Sequence, residues 1–316
     1  MAEAAQSLCR RQVFLFGALR SGTTVFRLML DAHPDISNPG EADFLFDYLS
    51  RDDAGHWKYQ IDLMREDRIF AAKNLRIKDG LDGLELLDDL LTQLQDKTPG
   101  TLVLTVHRHP DRLIQCLPNA RFIHLLRDPR DVARSSIGMG WAGNVFFGVD
   151  HWIKTETGWD GIAGDLEPQN ILELKYEDLF HNVNQSLVTV CDFIGVPFHE
   201  KMLTYHEGTT YSPPDAKLTE QWRRKATTRE IELVEQKAGG LMKARGYRLE
   251  GNGVKVTAAE RSRLIVSNKL GVWSFGVRRH GFWVYFMEKV TRWLGLARWN
   301  KRLHETISSQ SLKYLK

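Results

Sequence analysis

The sequence predicts an α/β fold, a central parallel sheet flanked by helices, with a basic, aromatic-rich helical extension at the C-terminus. Three observations predict it. Short apolar runs alternate with stretches of helical spacing, the order that lays strands side by side with crossover helices between them. The first apolar run opens into a glycine-bracketed loop and a helix. Residues 254–316 hold 13 Lys+Arg against 3 Glu and no Asp, whereas the whole chain is only +3.

The elements follow in order. Val13-Phe14-Leu15-Phe16 reads as a buried strand, Gly17 to Gly22 as a tight loop, and Thr23 onward as a helix running through Arg27, Leu28 and Leu30. Such a loop gathers anions, because small residues let backbone N–H groups converge and the helix N-terminus adds partial positive charge. It is P-loop-type in shape, but Thr23 stands where G-x-x-x-x-G-K-[ST] has its lysine. A glycine turn without a ligand is the plainer alternative. Ala42 to Tyr59 reads as aromatic-rich structure on the substrate side, and Leu81 to Leu91 as a helix over the core. Leu102 to Val106 is a strand ending in His107-Arg108-His109-Pro110.

Ala120 to Leu126 is a further interior strand, ending in Arg127-Asp128-Pro129-Arg130, with Pro129 where a helix begins. Arg127 then stands at the strand's C-terminal edge and Ser135 about two helical turns on. Ligands of open parallel sheets bind at those strand ends, so both segments point at one crevice. A guanidinium fork and a hydroxyl suit a second phosphate; a helix-capping ion cluster is the alternative. Trp141 to Asp160 reads either as an aromatic wall over an acceptor pocket or as buried aromatics supporting a helix. Trp222-Arg223-Arg224-Lys225 precedes a helix from Thr228 to Ala244.

Together the two segments resemble the 5′-phosphosulfate loop and 3′-phosphate motif of sulfotransferases that use 3′-phosphoadenosine 5′-phosphosulfate (PAPS). The branch resembled is that of the protein-tyrosine sulfotransferases and their bacterial relatives, in which R-S-G-T-T continues into a helix and L-D-A-H-P. Here those residues are Arg20 to Thr24 and Leu30 to Pro34; Lys175-Tyr176-Glu177-Asp178-Leu179, before a helix ending at Phe193-Ile194-Gly195, is a third match. The resemblance covers roughly residues 10–250 and implies a domain over 1–253. It implies that the backbone of Ser21, Gly22, Thr23 and Thr24 holds the 5′-phosphate and sulfonate, with Arg20 at the leaving oxygen. Arg127 and Ser135 are implied for the 3′-phosphate, with Tyr176 beside it; the basic residues 223–225 would either close over it or lie in solvent.

The resemblance also implies a general base at Glu41, some twenty residues past the loop arginine, facing a hydroxyl-bearing acceptor. Arg108 stands where relatives place a lysine that steadies developing charge. Histidine bases in other sulfotransferases keep His107 and His109 as alternatives, although period-two alternation sets both opposite Arg108. No metal is expected. Two other functions remain open from the residues: a P-loop phosphotransferase, and a non-catalytic binder of adenosine bisphosphate.

Composition fits a globular enzyme with a large core. Cys9, Cys116 and Cys191 are widely spaced, without metal-ligand spacing, as reduced core thiols would be. The N-terminal residues carry no basic n-region or apolar run, which gives a cytoplasmic expectation. Residues 254–316 read as a separate basic extension. A helix from Phe282 sets Trp283, Phe286, Met287, Val290, Trp293, Leu294 and Ala297 on one side. That stripe suits docking on the protein's own core, homo-oligomer contact, or a peripheral site on a membrane surface; nucleic acid is not expected.

Overall fold

The computed structural model describes residues 12–97, 100–296, 299 and 303. Cys9 and Ala297 lie outside the described residues. Their contacts divide the chain into two compact units: one takes in residues up to 128 and 151–221, the other 129–150 and 222 onward. Residues on both sides of 253–254 fall in the second unit.

The first unit is built on β1 (Val13–Phe16), which leads through the loop to α1 (Thr23–Asp31) and the short β2 (Ile36–Ser37). After α2 (Phe44–Asp47) comes a hairpin of β3 (Leu49–Arg51) and β4 (Trp57–Tyr59). Then follow α3 (Ile61–Glu66), α4 (Arg68–Ala72), α5 (Gly83–Asp96), β5 (Thr101–Val106), α6 (Pro110–Cys116) and β6 (Arg121–Leu126). In the second unit are α7 (Pro129–Gly138) and α8 (Val145–Gly148); α9 (Asp150–Ala163) returns the chain to the first. The first unit ends with β7 (Ile171–Lys175), α10 (Tyr176–His181) and α11 (Val183–Ile194).

Five strands form one parallel sheet in the order β2-β5-β1-β6-β7. From β1 the chain passes to the edge strand β2, returns to β5 beside β1, and then crosses to β6 and β7 on the other side, so the loop after β1 lies at the switch point where such sheets bind ligands. Period-two alternation splits the core between the two faces. Phe14, Phe16, Leu104, Val106 and Phe122 pack with α5 and Trp159 on one face; Val13, Leu15, Val103, Ile123 and Leu125 pack with α1 and α11 on the other. The expected parallel α/β architecture is therefore the observed one.

One local reading differs, and one open alternative is decided. Phe44, Phe46 and Tyr59 of the expected substrate-side segment are buried in the core. In the 141–160 stretch, Trp152 and Trp159 are buried along α9, the helix-supporting alternative, and Trp141 is exposed. Clustered aromatics carry more burial energy than a solvent-facing wall would use. Cys116 and Cys191 are buried and free. Among the described residues no helix is long and apolar enough to cross a membrane.

The second unit holds α12 (Trp222–Lys225), α13 (Thr228–Ala244), α14 (Ala258–His280) and α15 (Phe282–Trp293). Helix α13 begins at a capping box in which Thr227 and Glu230 satisfy each other's backbone N–H. Buried Arg130 of α7 lies over the Trp222 ring at 3.5 Å and pairs with Glu235 at 2.8 Å. Arg223 pairs with Glu250 at 2.5 Å.

Candidate active site

The loop from Gly17 to Gly22 is shaped by steric necessity. A Cβ on Gly17 would stand 2.5 Å from the Leu125 carbonyl oxygen of β6. Gly22 has φ 90°, and a Cβ there would stand 2.2 Å from the Tyr176 ring. Arg20, with φ 73°, takes the left-handed conformation without being glycine, a cost that folded structures accept mainly at functional turns. Ser21 N donates to Ala18 O at 3.0 Å, closing the turn before the α1 N-terminus. Ser21 Oγ is fully buried with no hydrogen-bond partner among the described residues.

Arg127, at the end of β6, reaches this loop. Its Nη1 donates to the Arg20 carbonyl at 3.0 Å, its Nη2 to Leu218 O at 3.3 Å, and its guanidinium lies 4.3 Å over the Tyr176 ring. Trp152 Nε1 donates to Arg127 O at 3.1 Å, and Asp128 N donates to Glu177 Oε1 at 2.9 Å, so the turn is fixed from both sides. Partial burial first, and the neighbouring Arg127 cation second, lower the Arg20 pKa. Burial raises the Glu177 carboxyl to about 7 against the backbone N–H groups and Arg127 that favour its charge. Arg20, Ser21, Gly22, Thr23, Thr24, Arg127 and Tyr176 are thus brought together. Ser135 stands on α7, in the second unit.

Glu41 sits beside the end of β5, bridged to Thr105. Asn38 prepares that position: its Oδ1 accepts from Gly40 N at 2.9 Å and its Nδ2 donates to Thr105 Oγ1 at 3.2 Å. Gly40, at φ 98°, lets the chain turn between Arg27 and Lys73, and Lys73 Nζ donates to the Pro39 carbonyl. Burial first, then Arg27, lowers the Lys73 pKa, while Glu41 opposes them.

Next to Glu41 stands His107, whose side chain is 1% exposed; its Nε2 lies 4.0 Å from Glu41 Oε1. His107 Nδ1 lies 2.7 Å from the Gly17 carbonyl. A carbonyl only accepts, so Nδ1 carries the proton and Nε2 of the neutral ring is the basic atom. Buried Asp43 accepts from the backbone N–H of His107 at 2.8 Å and of Arg108 at 3.0 Å, fixing the bend.

The expectation that Arg108 faces away from the histidines does not hold. His107, Arg108 and His109 all line one cavity of about 300 Å³, with Phe16, Leu19 and Lys154. The strand ends at Val106, and His109 is left-handed (φ 53°) as the cap of α6, so extended alternation has already stopped. Arg108 holds Asp47 with Nε at 3.0 Å and Nη2 at 2.6 Å, and those hydrogen bonds raise its pKa. His109 Nε2 also faces Asp47, at 3.5 Å. His151 of α9, which sequence reasoning missed, donates from Nε2 to Leu19 O at 2.9 Å and ties the loop to the cavity's far wall. Neither His151 nor Asp43 carries a motif that would have shown it. Among the described residues no group of three or more His, Cys, Asp or Glu side chains is placed to hold a metal ion.

A family model described as the sulfotransferase family matches residues 12–200, which takes in the loop, Glu41, the His107 bend, Arg127 and Tyr176. The chain belongs to the sulfotransferase family. It is 24% identical over 207 residues to protein-tyrosine sulfotransferase A of Caenorhabditis elegans, covering 62% of this chain and 52% of that protein. It is 23% identical over 217 residues to the Drosophila melanogaster protein-tyrosine sulfotransferase, covering 62% and 40%. The chain therefore spans about half or less of the length of these two relatives. The sulfotransferase domain of the curacin biosynthetic pathway shares the fold at a TM-score of 0.55 and 19% identity, covering 76% of this chain and 99% of that one. The sulfotransferase domain of the Synechococcus PCC 7002 olefin synthase does so at 0.54 and 22%, covering 72% and 94%.

Proposed function

We propose that this member of the family transfers a sulfuryl group from PAPS to a hydroxyl-bearing acceptor, without a metal. One observation carries the reading. His107, hydrogen-bonded to the first glycine of the anion loop and 4.0 Å from Glu41, joins the proton-accepting groups to the donor-binding loop. When bound, the donor supplies an activated sulfuryl group and a leaving group that can take up negative charge.

The chain's own residues supply position and electrostatics, the main levers on a loose group transfer. Backbone N–H groups of Ser21 to Thr24 and the α1 N-terminus hold the 5′ end, with Arg20 beside the leaving oxygen. Arg127, steadied on the Tyr176 ring, takes the 3′-phosphate. Glu41 accepts the acceptor's proton as that oxygen attacks in line, and Arg108, fixed on Asp47, lines the cavity. The fit to the donor rests on the loop: Gly22 has no room for a side chain, and its N–H groups open a helix.

A second assignment of the base has its own support. His107 lines the cavity and has its basic nitrogen turned toward Glu41, so His107 could take the proton while Glu41 balances the imidazolium.

Isotope-labelled donor offered with phenols, carbohydrates and tyrosyl peptides tests both. Glu41→Gln is expected to lose about 10²–10⁴-fold in turnover while keeping affinity for adenosine 3′,5′-bisphosphate. If His107→Gln loses as much and Glu41→Gln loses little, the base is His107. Magnesium-dependent turnover of ATP with no sulfuryl transfer would overturn the proposal.

A further inference from the structure

The helical hairpin of α14 and α15 has its polar and apolar residues arranged against the usual sense. One face of α14 is already occupied within its own unit: Asn268 Oδ1 accepts from Gly143 N at 2.7 Å, and Asn144 Nδ2 donates to Leu264 O at 2.8 Å. The chain reverses at Gly281 (φ 83°), and α15 folds back with the Tyr285 ring over Gly276, where a Cβ would stand 2.2 Å away. On α15 the buried residues are Glu288 and Thr291, each 2% exposed. Glu288 is held by Lys289 at 3.1 Å and by Arg292.

The large apolar side chains point the other way. Leu270 is 61% exposed, Trp283 72% and Trp293 85%, and Trp273, Phe282 and Phe286 are exposed beside them. Trp273 and Phe282 meet edge to face at 5.9 Å, and Phe282 stacks on Phe286 at 5.6 Å. The aromatics of the two helices therefore form one continuous outer surface. Monomeric proteins seldom leave such a patch uncovered unless it is used.

Charge selects the occupant. Across 258–293 there are seven Lys and Arg against two Glu. Both glutamates are engaged by cations, Glu260 with Arg229 at 2.5 Å and Glu288 as above. A second copy would bring like charge against like charge across the same patch. We infer that this hairpin docks on an anionic bilayer surface, with the tryptophans and phenylalanines at the headgroup boundary and the cations against lipid phosphates. It lies on the membrane and does not cross it. The inference is independent of the sulfuryl-transfer reading, because it concerns no residue of the crevice.

Sedimentation of the full chain with extruded vesicles tests it, comparing phosphatidylcholine alone with phosphatidylcholine containing phosphatidylserine. Binding is expected to the anionic vesicles only and to fall as salt is raised. Trp283→Ser combined with Phe286→Ser should weaken it roughly tenfold or more. Lys269→Gln and Arg278→Gln should each weaken it roughly fivefold. All four positions are exposed, and unchanged circular dichroism and adenosine 3′,5′-bisphosphate affinity will report an intact fold. Absence of binding, equal binding to neutral vesicles, or full binding by the double variant would overturn the inference. So would a dimer in ultracentrifugation that Trp283→Ser disperses while vesicles leave the protein in solution.

Discussion

The crevice around the Gly17–Gly22 loop and the α14–α15 hairpin use the same residue types in opposite senses. In the crevice, cations are tethered: Arg127 to the Arg20 carbonyl and Arg108 to Asp47, with His107 locked on Gly17. On the hairpin, aromatic rings face outward while Glu288 is buried. A crevice built for one small anion needs its charges fixed in advance, since reorganisation costs binding energy. A surface proposed to meet a fluid sheet of charge needs apolar reach and an excess of cations, and little geometry. In both regions, residues standing against their usual preference mark the surface proposed to meet a ligand.

Changes confined to one region should leave the other's ligand untouched, which gives ways to break the contrast. The largest effect belongs to the proton acceptors, where loss of Glu41 removes turnover without removing affinity. Next comes Gly22→Ala. It forces a side chain into φ 90° and against the Tyr176 ring, a cost of roughly 2–4 kcal/mol in stability. Chemical denaturation should show that loss, and calorimetry should show weakened adenosine 3′,5′-bisphosphate binding with vesicle binding unchanged. A variant with wild-type stability and affinity would mean that the loop is not constrained as described.

The smallest effect is a pH dependence. Glu177, raised to about 7 chiefly by burial, binds its proton more tightly in the folded chain than in the unfolded one. Its contribution to stability is complete below the ordinary carboxylate range and is lost as pH rises through about 7. Glu177→Gln keeps an acceptor for the Asp128 N–H and removes the titration. It should raise the unfolding midpoint at pH 8 relative to the wild type and change little at pH 5. Equal differences at both pH values would contradict the assignment.

Much of this was legible in the sequence, for identifiable reasons. Strands β1, β5 and β6 are mostly apolar and buried on both faces, and their ends carry the glycine loop, the His107 bend and the Arg127 turn. Helix α13 begins at Thr228 as expected, because its cap is local chemistry between Thr227 and Glu230. What could not be read depended on contacts distant in sequence. Asp43 lies 64 residues from the backbone it holds and His151 lies 132 from Leu19, and neither separation leaves a pattern. The facing of His107, Arg108 and His109 was misjudged because alternation was carried past the last extended residue. The aromatic-rich stretch 42–59 reads as substrate-side structure, but the side chains that would face a substrate also fill a core.

The proposed function requires the Gly17–Gly22 loop and Arg127 to grip opposite ends of one doubly phosphorylated donor. Calorimetric titration of adenosine 3′,5′-bisphosphate into the wild type and Arg127→Ala tests it most directly, with adenosine 5′-monophosphate as the comparison ligand. The substitution should weaken the bisphosphate by roughly 10–100-fold, the worth of a charge-assisted hydrogen-bond pair, and leave the monophosphate nearly unaffected. Equal losses for both nucleotides, or no loss for either, would contradict it.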